Sequence, residues 1–119
     1  MTQEEKLLLA DLSARLSYGV ILNCCGDIGE KLISITSNGL INNDYYIEEV
    51  KPYLFPMSSM TDEHRNIYHD LCCIADDGFG DAMFVDTIDS INWCYENHYD
   101  INGLIPKGLA INAIGLNIY

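Results

Sequence analysis

At 119 residues, 49% of them hydrophobic, the chain is long enough to bury one core without staples and too apolar for a disordered tail. A single domain over residues 1–119 is expected. Eighteen acidic residues against six basic ones give a formal charge of −12. That field repels polyanions, because nucleic acids and anionic membranes are held through Lys and Arg. No apolar run approaches the roughly 18 residues of a membrane span. The acidic, polar opening Met-Thr-Gln-Glu-Glu-Lys lacks the basic-then-apolar plan of a secretory signal, so a cytoplasmic location is expected.

Thr2 and Glu5 have the spacing of a capping box, and Leu8, Leu9, Leu12 and Leu16 follow at helical intervals. The pattern predicts an amphipathic helix over residues 2–16 that stops near Gly19, with Asp11 and Arg15 outside the apolar stripe. Residues 20–25 and 32–37 are short apolar or β-branched runs separated by Gly26-Asp27-Ile28-Gly29, which reads as a hairpin. Its inward faces would carry Tyr18, Val20, Leu22 and Cys24, opposite Ile33 and Ile35. After the Asn38-Gly39 turn signal, Leu40-Ile41 or Tyr45-Tyr46-Ile47 would supply a third strand.

The stretch from Ile47 to Thr61 carries Pro52 and Pro56, which fix φ and remove backbone donors. It reads as a poor inner strand and as an oily crossover that plugs the core between a strand-like first part and a helical second part. A second helix would begin at Ser58, Ser59 or Thr61, with Ile67, Tyr68, Leu71, Ile74 and Ala75 inward. Residues 76–81 would break it, and a third helix would run over residues 82–97 with Phe84, Val85, Ile88, Ile91 and Tyr95 inward. The glycine- and proline-interrupted tail would pack as a short turn or helical piece. The fold class is therefore α+β: a small antiparallel sheet of two to three strands with about three helices.

No chemistry-bearing pattern stands out. Counted from Asp76, the sixth and twelfth positions of an EF-hand would be Asp81 and Thr87, which is the wrong pattern for calcium. His69 and Cys72 could reach one zinc ion, but no C-x₂-C pair supplies the remaining ligands. Five cysteines in a chain without a secretory signal are expected reduced, as small buried hydrophobes. Carboxylates are too numerous for an acid–base pair to stand out, and Gly26-x-x-Gly29 lacks the setting of a phosphate loop. No catalytic residue, cofactor or metal is assigned, and the chain reads as a non-enzyme.

Three segments together carry a resemblance: residues 5–20 (EKLLLADLSARLSYGV), residues 47–61 (IEEVKPYLFPMSSMT) and residues 97–113 (NHYDINGLIPKGLAINA). They resemble a family of small uncharacterised proteins of phages and prophages of Bacteroidales-type gut bacteria. Residues 24–43 do not follow the pattern. Pro106 stands where a helix-compatible acidic residue is usual, which argues against a regular terminal helix. The resemblance implies a phage or mobile-element accessory protein acting inside the host cell, and it implies no activity for any residue.

The resulting expectation is a protein that binds a host or phage protein with a basic surface, inhibiting a host factor through its own acidic one. Tyr53 and Phe55 would be anchors, and Asp76, Asp77 and Asp81 the acidic contacts. The alternative is a small-molecule or nucleotide-signal sponge, which needs Arg15, Lys31, Lys51, Arg65 and Lys107 to converge. Self-association is compatible with either.

Overall fold

The computed structural model describes every residue except Asp77 and Asp81, and for Asp27 and Ile28 the backbone alone. The protein is α+β, with three α-helices, a four-stranded sheet and a separate two-stranded one. Helix α1 spans Gln3–Arg15 and starts as its sequence dictates: Thr2 Oγ1 accepts from the Glu5 amide at 3.0 Å, and Glu5 returns a bond to the Thr2 amide. A 3₁₀ turn and Gly19, at φ +73°, end it.

Strands β1 (Ile21–Cys24) and β2 (Asp27–Lys31) form the first hairpin. The turn is tighter than the sequence suggests. Cys25 (φ +54°) and Gly26 (φ +92°) are its two central residues, both left-handed, as the two-residue turn that matches strand twist requires. Asp27 to Gly29 thus belong to the second strand, where a register shift leaves Gly29, at φ +111°, as a bulge. Val20, Leu22 and Cys24 are buried as expected, but Ile33 is exposed. Residues 32–37 form no strand: Ile35 makes one isolated bridge to Ile41, which bridges in turn to Tyr45.

The third strand of the sheet is β3 (Val50–Leu54), inside the proline stretch and between β1 and β6 (Ile111–Asn112) in the order β2-β1-β3-β6. It is antiparallel to β1 and parallel to β6, so the sheet is larger than expected and mixed. Pro52 is tolerated for a geometric reason. The Cys25 amide bonds the Glu49 carbonyl at 3.0 Å, so Glu49, Lys51 and Tyr53 turn their backbone polar groups toward β1 and Pro52 turns its nitrogen away. On that other side β6 pairs only from Tyr53 onward. No ladder bond is lost. The stretch is the core segment that its apolar side chains suggest, with Tyr53, Leu54 and Pro52 buried.

Helix α2 (Asp62–Leu71) is capped by Thr61, whose hydroxyl accepts from the His64 amide at 3.1 Å. It ends earlier than expected, because Cys72 is extended, and Ile74 and Ala75 lie in strand β4 (Cys73–Asp76). β4 pairs with β5 (Ala82–Val85), where the sequence suggests the start of a helix. Helix α3 spans Ile88–Glu96 and begins at a Thr87–Ser90 capping box. Phe84, Val85 and Ile88 are therefore exposed, not inward. The tail forms turns closed by Asp100, whose carboxylate accepts from the Leu104 and Ile105 amides at 2.7 and 2.9 Å.

One core lies between α1 and the sheet, around Leu8, Leu12, Leu22, Val50, Leu54 and Leu104. A second, around Met60, Cys94 and Tyr99, joins α2 and α3. The two meet at an ion pair that the helical pattern places on the surface. Asp11 and Arg15 are 1% and 0% exposed. Arg15 Nε donates to Asp11 Oδ1 at 2.6 Å, and Nη2 donates to the Tyr99 carbonyl at 2.7 Å. Asn102 donates to Asp11 Oδ2 at 2.9 Å, and the guanidinium lies 4.8 Å from the Tyr95 ring centre. No helix among the described residues is long and apolar enough to cross a membrane.

Replacing Arg15 with Met strands the Asp11 carboxylate in the core. The expected loss is about 3–5 kcal/mol of unfolding free energy, read from urea midpoints; a loss under about 1 kcal/mol contradicts the role assigned to the pair. His98 gives a pH signature. Burial, helped by the nearby Arg15 charge, lowers its pKa to about 4, against about 6.5 in an unfolded chain. Between those values the unfolded state binds more protons, so stability is expected to fall as pH drops from about 6.5 to 4. His98→Asn tolerates the φ of +64° and should flatten that slope; an unchanged slope assigns the effect to other groups.

Candidate functional site

Strands β4 and β5 stand apart from the main sheet, and all eight of their residues are exposed. The register pairs Ile74 with Phe84 and Ala75 with Met83, so apolar side chains occupy both faces of the arm. Ile74 is 70% exposed, Met83 50%, Phe84 49% and Val85 44%. At the tip, Gly78 and Gly80 take φ of +85° and +86° and flank Phe79, which is 91% exposed. A soluble chain rarely leaves so contiguous an apolar surface uncovered without a use for it.

The root of the arm is held firmly. The His69 ring stacks on Phe84 with centroids 3.9 Å apart and planes 5° from parallel. Asp86 Oδ1 accepts from Tyr68 Oη at 2.5 Å and from Ser90 Oγ at 3.0 Å, and Thr87 Oγ1 donates to the Leu71 carbonyl at 2.7 Å. Burial and the bond to Asp86 raise the Tyr68 pKa, keeping its proton as donor. The arm is thus a fixed projection from the α2–α3 unit.

The chain segment that carries it is one-sided in charge. Residues 66–106 contain eight acidic side chains and no Lys or Arg. Asp76 ends β4, where its Oδ1 accepts from the Gly78 amide at 2.8 Å. Asp77 and Asp81, the other two expected acidic contacts, lie outside the described residues. The expected aromatic anchors do not join them. Tyr53 is 2% exposed, its hydroxyl accepting from Asn23 Nδ2 at 2.9 Å; it is a core residue, correcting the expectation of a surface anchor. Phe55 is half-buried and faces a different depression. The sequence reading missed Ile74, Met83, Phe84 and Val85. The signal was available: two four-residue apolar runs around a glycine-containing turn, ahead of a Thr-x-x-Ser cap, are a hairpin followed by a helix.

The second feature is a cleft of about 450 Å³ between the start of α2 and the C-terminal segment, lined by Phe55, His64, Asn97, Tyr99 and Ile114 among others. His64 Nδ1 and Tyr99 Oη are 2.7 Å apart. Burial raises the Tyr99 pKa, so its hydroxyl keeps the proton. No Lys or Arg lines the cleft. Arg15 is enclosed in the core, and Arg65 makes an exposed contact with Asp62 at 3.4 Å away from the cleft lining.

Among the described residues, no three of His, Cys, Asp and Glu are grouped to hold a metal ion. The zinc candidates have other roles: His69 stacks on Phe84, and Cys72 caps α2 with its Sγ 4.0 Å from Asp86. Cys24 and Cys94 are buried, Cys25 and Cys73 exposed. Burial pushes the Cys94 thiol up to about 12, the opposite of nucleophile activation. Comparisons with protein-family models, curated proteins and solved structures give no match for this chain.

Asp86→Ala removes the shared acceptor at the root of the arm. Amide exchange across β4 and β5 is expected to quicken about 10- to 100-fold, the worth of one or two hydrogen bonds to a charged group, with α1 and the main sheet unchanged. Equal protection of β4 and β5 in the two proteins would show that Asp86 does not anchor the arm.

Proposed function

We propose that this is a non-enzymatic accessory protein of a phage or mobile element that acts in the host cytoplasm by binding a protein with a basic surface. The observation that carries the reading is the arm: apolar on both faces, rigid at its root and set in a lysine- and arginine-free acidic region. Apolar contact would supply hold, while the carboxylates would speed encounter and exclude acidic surfaces. Inhibition of the bound host factor is the simplest consequence of covering it. The sponge alternative receives less support, because of its five cations only Lys51 lines a described depression, and there it stands beside glutamates, while the aromatic cleft offers no cation to a phosphate.

The test compares capture from bacterial lysate by the wild type and by an Ile74→Ser, Phe84→Ser double variant, at low and high salt. Basic proteins enriched by the wild type, lost at least about tenfold in the variant and weakened by salt, are the expected outcome. Equal recovery by both proteins removes the arm from the contact, and recovery of nothing at either salt concentration counts against the whole reading.

A further inference from the structure

The cleft at the start of α2 joins aromatic surface to a few uncharged polar groups. We propose that it binds an uncharged, planar heteroaromatic compound of the nucleobase or nucleoside class. Its volume of about 450 Å³ lies in the range of small-molecule sites. No Lys, Arg, Asp or Glu lines it. A phosphate therefore finds no cation there, and an ammonium group finds no carboxylate. The net charge of −12 opposes anions from further away. The other described depressions lack this combination: each is lined by at least one carboxylate and none by an aromatic ring. The site is independent of the partner reading, which rests on the arm.

Two rings of the lining have no parallel partner among the described residues. Phe55 meets other rings only at a tilt, 57° to Tyr99 and 53° to Tyr119. His64 meets Trp93 and Tyr99 edge-on, at 77° to each. Trp93 and Tyr99, by contrast, stack at 20°. Phe55 and His64 are both half-buried, so a flat ring that enters the cleft can stack where the chain itself does not. Three polar groups beside them have hydrogen-bonding capacity to spare. The Thr61 hydroxyl accepts from the His64 amide at 3.1 Å and keeps its own proton for a ligand acceptor. Asn97 Nδ2 donates to the Trp93 carbonyl at 2.9 Å, which leaves Oδ1 as an acceptor. His64 Nδ1 is taken by Tyr99 Oη at 2.7 Å, and Nε2 has no partner among the described residues. A hydrocarbon would cover these groups without pairing them. A base edge, with donors and acceptors side by side, pairs them while its face stacks.

The test is an NMR titration of the purified full chain with adenosine, uridine and adenosine 5′-monophosphate. Trp93 is the chain's only tryptophan, with its ring 5.1 Å from His64 and 5.6 Å from Tyr99. Its indole N–H resonance therefore reports on the cleft. At least one nucleoside is expected to shift it saturably, with a Kd below about 1 mM. The monophosphate should bind at least about tenfold more weakly than adenosine at low salt, and the gap should narrow as salt screens the repulsion. Phe55→Leu keeps an apolar side chain but removes a ring face. It should weaken binding at least about fivefold, the lower end of what one base–aromatic stack contributes. Ile114→Trp, at a 54% exposed position on the cleft wall, fills the cleft from outside the core and should weaken binding as much. No saturable shift from either nucleoside overturns the proposal. A monophosphate that binds as tightly as adenosine, or unchanged affinity in either folded variant, overturns it equally.

Discussion

Asp11 and Arg15 sit four residues apart on one helix, and their mutual neutralisation allows both to leave water. Neither charge is tolerable alone at 0–1% exposure. Each also reaches across a boundary: Arg15 to the Tyr99 carbonyl, Asp11 to Asn102. The pair therefore couples the sheet core under α1 to the aromatic core under α2 and α3. It is not an ideal arrangement, since Arg15 Nη1 has no hydrogen-bond partner among the described residues. Breaking such a pair is costly, because removing one partner leaves the other charge buried and uncompensated.

The C-terminal residues complete the arrangement. Tyr119 Oη donates to the Tyr53 carbonyl at 2.7 Å and accepts from the Ile21 amide at 2.9 Å, joining β3 to the start of β1. Its ring stacks on His98 with centroids 3.7 Å apart. Burial holds Tyr119 at a pKa of about 12, so the phenol stays a donor throughout the neutral range. His98, Tyr99 and Asp100 thus carry much of the junction: a stack on the C-terminal ring, a carbonyl for Arg15 and a cap for the tail turns. The arm follows a different plan. Fixed at Asp86 and His69 but uncovered along its length, it holds apolar surface available while the body stays closed.

Alternation and capping were legible wherever the chain interacts with near neighbours. Thr2 with Glu5 and the left-handed Gly19 and Gly39 follow from local sequence alone, because their partners lie within a few residues, and the structure chooses Thr61 from the three cap candidates Ser58, Ser59 and Thr61. The tail without a regular helix was legible for the same reason, through Gly103, Pro106 and Gly108. The helix expected over residues 82–97 failed at its first half. Met83, Phe84 and Val85 fit a helix stripe and a strand equally well, and only the pairing with β4 decides between them. The candidate site was legible in part: Asp76 is where the acidic loop was expected, but the apolar arm around it was taken for buried helix faces.

By itself, the sequence determined an acidic α+β domain with a capped first helix, an early hairpin and a second helix starting at Ser58, Ser59 or Thr61. Those features depend on contacts within one turn of chain. Tertiary structure alone decided that Pro52 lies in an inner strand, because only the register with β1 and the late start of β6 show which way its nitrogen points. It alone buried Asp11 and Arg15, whose partners Tyr99 and Asn102 lie more than 80 residues along the chain. It alone left the arm uncovered, since exposure depends on which surfaces the remaining elements have already filled.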